Sequence, residues 1–219
     1  MPPEPATASS TESPAGAGCG SLTPADAAGR FSKLAPVIRY LESLNGRADL
    51  DKLSDLLSGL QVARQDIAPA CVFGQRGYRR NTICESPWFE LLALCWRSGD
   101  CTPIHDHKGV SCAFRVVEGQ GTEIRFVLTP SGLICPAASI PMNPGYVCAA
   151  DEPDIHQVAN MQAPGTDLVT LHIYSPPIKK MNVYEFATPI SAECADRYAK
   201  PGAAAKAGSA TKTTGDLPC

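Results

Sequence analysis

Two textures divide the chain. From Phe31 to Leu60 apolar residues recur every three or four positions, whereas from Cys71 onward they gather in short runs broken by Gly, Pro, Asn and Asp. Phe31, Leu34, Val37, Ile38, Leu41 and Leu44 keep the spacing that places side chains on one helical face. Thr23-Pro24-Ala25-Asp26 reads as the start of this region: a capping hydroxyl, a proline where a first-turn N–H is dispensable, and an acid near the positive end. Pro36 interrupts the pattern and predicts two helical pieces or a kink. Asn45-Gly46 ends it, and Asp49 opens another helix carrying Leu50, Leu53, Leu56, Leu57 and Leu60. A short turn is expected around Val62 to Ile67. These helices are expected to cover one end of a sheet.

The second texture predicts strands. Tyr78-Arg-Arg-Asn-Thr-Ile83, Phe89-Glu-Leu-Leu-Ala-Leu-Cys-Trp96, Ser111-Cys-Ala-Phe-Arg-Val-Val117, Thr122-Glu-Ile-Arg-Phe-Val-Leu128, Tyr146-Val-Cys148, Ile155-His-Gln-Val158 and Leu168-Val-Thr-Leu-His-Ile-Tyr174 are rich in β-branched or aromatic residues. Short strands at close spacing with no helical pattern between them indicate an antiparallel sandwich or barrel. No internal repeat is evident.

Composition narrows the class. The 219 residues suit one compact domain with some surplus. A net charge of −3 without a basic block gives no nucleic-acid surface, and no apolar run approaches the ~20 residues that span a bilayer. Met1-Pro-Pro-Glu-Pro lacks the charged and apolar regions of a signal peptide. The ten cysteines include no CxxC pair, and Cys95 and Cys112 sit in strand-like runs. They read as reduced thiols in a cytoplasmic protein. Residues 1–20 and the sequence from Pro201 hold almost no large apolar side chains and are expected to be disordered. The expected division is a tail at 1–20, a helical cover at 21–68, a β-barrel with the functional site at 69–190 and a mostly disordered extension at 191–219.

The chemistry concentrates in Gly99-Asp-Cys-Thr-Pro-Ile-His105-Asp-His107. Histidines one residue apart diverge on a helix but point the same way from extended backbone, with Asp106 turned aside. Two imidazoles so placed make half of a metal site. The chain has four histidines; His156 and His172 fall in downstream strand-like segments, so all four can converge inside a barrel.

The spacing Gly99, five residues, His105-x-His107, four residues, Cys112, six residues, Gly119 resembles the first motif of the cupin superfamily, with cysteine where glutamate is usual. Pro153-Asp-Ile-His156 with Asn160 resembles the second motif, less its internal glycine. The segment Leu171-His172-Ile-Tyr174-Ser-Pro-Pro177 and the turn Tyr78-Arg-Arg80-Asn81 sharpen the likeness. Over roughly 21 to 190 the chain resembles cysteine dioxygenases, the thiol dioxygenase branch of the cupins.

That resemblance implies a mainly β fold, a small cupin jelly-roll barrel with N-terminal α-helices, acting in cysteine catabolism as a monomer. It implies Fe(II) held by His105, His107 and His156, with L-cysteine and O2 converted to cysteine sulfinic acid. Arg80 would clamp the substrate carboxylate through its planar fork, assisted by Tyr78. Arg79 points to the opposite face. Tyr174 would place its hydroxyl beside the substrate, oriented by His172 with Thr170 behind. Cys112 and Tyr174 are the positions that a thioether crosslink joins in this family. Ser175-Pro176 matches a cis bond, and Leu94, Trp96, Ile178 and Met181 match pocket-wall positions. Asp106 is expected to make a structural hydrogen bond.

Other readings stay open from the residues. The enzyme acts on another small thiol such as 3-mercaptopropionate, though that branch usually has glutamine at the Arg80 position. A non-catalytic cupin binding a metal or ligand would take up no oxygen with any thiol. A zinc hydrolase suits three histidines and a water, but it explains neither Arg80 nor Tyr174.

Overall fold

The computed structural model describes residues 22–107, 109–150, 155–179 and 181–186; the tails expected at 1–20 and 191–219 lie outside them. Thr23 caps the first helix, α1 (Pro24–Arg30), by accepting the Asp26 N–H at 3.2 Å. A 3-10 turn at Ser32–Leu34 separates it from α2 (Ala35–Glu42). Pro36 sits in the first turn of α2, so the interruption expected there is a helix start and not a kink. Asp49 caps α3 (Leu50–Gly59), accepting the Lys52 N–H at 2.8 Å. A 3-10 stretch at Arg64–Ala70 follows, longer and later than the expected turn.

Among the described residues ten strands follow: β1 (Arg79–Ser86), β2 (Phe89–Trp96), β3 (Ile104–His105), β4 (Ser111–Glu118), β5 (Gly121–Leu128), β6 (Ile134–Met142), β7 (Val147–Ala150), β8 (His156–Ala159), β9 (Leu168–Ser175) and β10 (Val183–Tyr184). They form two five-stranded sheets, ordered β1-β2-β9-β4-β7 and β10-β3-β8-β5-β6, with every pairing antiparallel. The chain passes repeatedly from one sheet to the other, giving the small cupin-type barrel with N-terminal helices that the resemblance implied.

The first sheet is buried on both faces, since every residue of β9 is buried. Its outward residues Leu91, Ala93, Val169, Leu171 and Ile173 pack with Val37, Ile38, Leu41, Leu53 and Leu57 of the helices. The helices therefore cover the outer face of this sheet and not one end, because that face is apolar and must be shielded from water. Its inward residues Leu92, Leu94, Trp96, Phe114 and Val116 fill the barrel.

The second sheet is built of shorter pieces. β6 was hidden in the sequence by Pro136 and Pro141, but it is an edge strand, where a missing N–H is tolerated. Its register with β5 shifts beside the Phe126–Pro136 pair. The residues around the two motifs are laced together: the Gly99 N–H donates to the Asn160 carbonyl and the Asn160 N–H to the Asp100 carbonyl, both at 2.9 Å. Gly119 has φ +78°, and a Cβ there would strike the Asp167 carbonyl. Both facts restrict that position to glycine.

Candidate active site

The short strand β3 ends at His105, which lies directly across from His156 on β8. His107 follows two residues later, past the end of the strand. The three rings converge, each pair with centroids 4.8 Å apart. One donor atom from each lies within 4.8 Å of the others, and His105 Nε2 is 3.2 Å from His107 Nε2.

This trio fits a divalent cation. Two imidazole nitrogens each ~2.1 Å from one ion at a right angle stand about 3 Å apart. The Pro103 carbonyl, which can only accept, lies 2.9 Å from His105 Nδ1, so the proton sits on Nδ1 and Nε2 offers its lone pair. Burial, then the neighbouring His105 and His156, pushes the His107 pKa down to about 2, so its ring is a neutral donor. His107 Nδ1 is buried without a hydrogen-bond partner among the described residues. Behind His156, Glu123 Oε1 stands 3.4 Å from Nδ1, at ion-pair distance but outside hydrogen-bond geometry, and Arg125 Nε donates to Oε2 at 3.0 Å. Glu123 is fully buried.

The opposite wall of the same cavity is lined by Tyr78, Arg80, Leu94, Trp96, Cys112, His172 and Tyr174, with Met181 beside them. Tyr78 stacks on Trp96 with ring centroids 4.4 Å apart. The Arg80 guanidinium lies 5.2 Å over the Tyr174 ring, and its Nη2 donates to Glu90 Oε2 at 3.0 Å. Burial opposes the Arg80 charge, but Tyr174, Glu90 and Tyr78 outweigh it and hold the pKa above its ordinary value. Ile178 does not line the cavity, contrary to expectation; it packs against the apolar cluster beside it.

A hydrogen-bonded chain runs behind Tyr174. Its hydroxyl is 3.2 Å from His172 Nδ1, His172 Nε2 is 2.9 Å from Thr170 Oγ1, and the Trp96 indole donates to Thr170 Oγ1 at 3.0 Å. Alternation on β9 puts Thr170, His172 and Tyr174 on one face, so the chain is a direct consequence of strand geometry. Burial, followed by the charge of Arg80, holds the His172 pKa well below normal, so the ring is neutral. Burial, then Cys112, raises the Tyr174 pKa, keeping the phenol protonated. Two proton settings satisfy these contacts, with Tyr174 donating to His172 or accepting from it.

Cys112 and Tyr174 are paired residues across β4 and β9. The Ser175–Pro176 bond is cis. Asp106, turned from the cavity, accepts from Asn182 Nδ2 at 3.0 Å and from the Tyr184 hydroxyl at 2.7 Å, tying β10 to the loop between the two histidines. Sequence reasoning missed Glu90 and Glu123. Glu90 had a signal, a lone carboxylate in an otherwise apolar strand run, whereas Glu123 alternates with Arg125 and reads as one of two ordinary charged positions.

A family model described as cysteine dioxygenase type I matches residues 25–187, a span that contains every residue of this site. The chain belongs to that family. Cysteine dioxygenase type 1 of Danio rerio is 28% identical over 145 residues, covering 64% of this chain and 72% of that protein. The Homo sapiens protein of the same name is 24% identical over 161 residues, covering 71% and 80%. Among solved structures, a Klebsiella pneumoniae protein with a double-stranded beta-helix domain aligns with a TM-score of 0.46 at 11% identity, over 65% of this chain and 99% of that one. As a member of the cysteine dioxygenase family, the chain carries a three-histidine cluster on and just beyond the strands of one sheet and an arginine–tyrosine pair on the other, facing a common cavity.

Proposed function

We propose that this protein is an iron(II)-dependent dioxygenase that converts L-cysteine and O2 to cysteine sulfinic acid, both oxygen atoms ending on sulfur. The observation that carries this reading is the joint presence, on one cavity, of three converging imidazoles and a largely enclosed guanidinium. A donor set without a carboxylate leaves a divalent ion its full charge for an anionic thiolate. Cysteine offers a thiolate and amine for the ion and a carboxylate for the arginine.

His105, His107 and His156 would hold the iron. Bound there, it would supply open coordination positions and the electron transfer that lets a thiolate combine with dioxygen. Arg80 binds the substrate carboxylate and so fixes which way the sulfur points. Placement of that kind is a large part of rate enhancement in a two-reactant reaction. Tyr174 presents a protonated hydroxyl to the reacting groups, and His172 with Thr170 holds it at a fixed angle. Trp96 and Phe114, buried along the wall, keep bulk water out. We place the protein in the cytoplasm, where its substrate stays reduced.

Cross-strand pairing of Cys112 and Tyr174 supports a thioether between Sγ and the phenol ring, formed with loss of two hydrogens to O2 as oxidant. Intact-protein mass spectrometry after turnover should show ~2 Da less than the summed sequence, a deficit that Cys112→Ser abolishes.

The function is tested by anaerobic incubation of the iron-loaded protein with L-cysteine or 3-mercaptopropionate, followed by O2. Sulfinate from L-cysteine with matching oxygen uptake is the expected result. Preferential turnover of 3-mercaptopropionate would move the assignment to another thiol, and no uptake with either would make the protein a binding cupin.

A further inference from the structure

β2 enters the barrel with alternating inward side chains at Glu90, Leu92, Leu94 and Trp96. The three apolar residues fill the barrel, whereas the carboxylate is a charge among them. Glu90 lies directly across β2–β9 from Tyr174, and its carboxylate takes the Arg80 guanidinium at 3.0 Å. Neither partner is a surface group, with side chains 17% exposed for Arg80 and 14% for Glu90. The guanidinium is thus gripped from behind by an anion while the Tyr174 ring lies under it.

We infer that Glu90 is a specificity-setting positioning residue that fixes the Arg80 fork toward the cavity and withholds part of its charge from an incoming carboxylate. This rests on the reading of Arg80 as the carboxylate clamp. Two consequences follow from Coulomb's law at short range in a partly desolvated site. An anion already paired with Arg80 weakens the attraction of a second, so the substrate carboxylate is bound less tightly than geometry alone would allow. Orientation is gained in exchange, because a guanidinium held at one end presents its remaining N–H groups in one direction. The chain should therefore discriminate less sharply between thiols with and without a carboxylate than the same barrel with a neutral residue at position 90.

Glu90→Gln separates the two effects, since the amide keeps the acceptor and the shape but not the charge. Dissociation constants are measured by anaerobic calorimetric titration of the iron-loaded protein, so that binding is read without turnover. The ligands are L-cysteine and 2-aminoethanethiol, which has the thiol and amine but no carboxylate. Glu90→Gln should tighten L-cysteine by roughly three- to tenfold and leave 2-aminoethanethiol unchanged. Equal shifts for both ligands, no shift, or weaker L-cysteine binding would overturn the inference, because a purely structural partner of Arg80 predicts one of these.

A second variant tests the underlying reading. Arg80→Ala in the Glu90→Gln background avoids stranding a part-buried carboxylate, and it should weaken L-cysteine at least about tenfold while sparing 2-aminoethanethiol. If it leaves L-cysteine binding intact, the clamp reading of Arg80 fails. If it behaves as expected and Glu90→Gln alone does not, only the role of Glu90 is wrong.

Discussion

The two sheets divide the labour unequally. The first, β1-β2-β9-β4-β7, is covered on both faces and carries Arg80, Trp96, Cys112, His172 and Tyr174. The second, β10-β3-β8-β5-β6, carries His105 and His156, with His107 just beyond β3. Three of its strands have only two or four residues, and Val127 and Leu128 at the end of β5 are each 51% exposed. The difference teaches where order comes from. The wall that carries Arg80 and Tyr174 is fixed by folding, through strands whose both faces are packed. The wall that carries the three histidines is made of segments too short to be held by their own ladders, and an ion joining those side chains would add the missing constraint.

Breaking the metal half should have the largest effect on the site and the least on the core. His156→Ala is expected to lower metal affinity by more than ~100-fold, beyond what loss of an outer-shell partner costs. Chelator competition would show this, and the melting temperature without metal should stay near that of the parent. Survival of stoichiometric tight binding would contradict the three-histidine assignment.

Leu171→Ala tests the opposite half. Its side chain is fully buried between β9 and the helices. Unfolding free energy should fall by about 2–5 kcal/mol, read from denaturant melts, with metal stoichiometry unchanged in the folded protein. A loss under about 1 kcal/mol would show that the helical cover adds little.

The smallest effect belongs to the seam between loop and C-terminal strand. Tyr184→Phe removes one hydrogen bond to Asp106, a contribution of about 1 kcal/mol. Hydrogen exchange should quicken around residues 104–107 and 182–184 and stay constant in β9. Equal exchange in both regions would mean that the second sheet is as firmly held as the first.

Much of this contrast was legible in the sequence. Phe89–Trp96 and Leu168–Tyr174 stand out, the first as a nearly continuous apolar run and the second by its alternation, and the structure places strands there within a residue. The two histidine motifs were readable because their spacing is local. β3 and β10 were not, since two-residue strands have no periodicity to detect. β6 was masked by prolines that only an edge position tolerates. Coverage of a sheet face by helices follows from the apolar outward residues of β2 and β9, yet which face they choose depends on packing. The Glu90–Arg80 and Glu123–His156 contacts join residues on different strands, and no spacing rule along the chain encodes them.

The central claim is that the two walls act on one thiol and one molecule of dioxygen together. Turnover of L-cysteine by the iron-loaded protein under isotopically heavy O2 in ordinary water tests it most directly. Cysteine sulfinate carrying both heavy oxygens is the result this account requires. Sulfinate labelled at one oxygen, or recovery of the cysteine only as its disulfide, would contradict it.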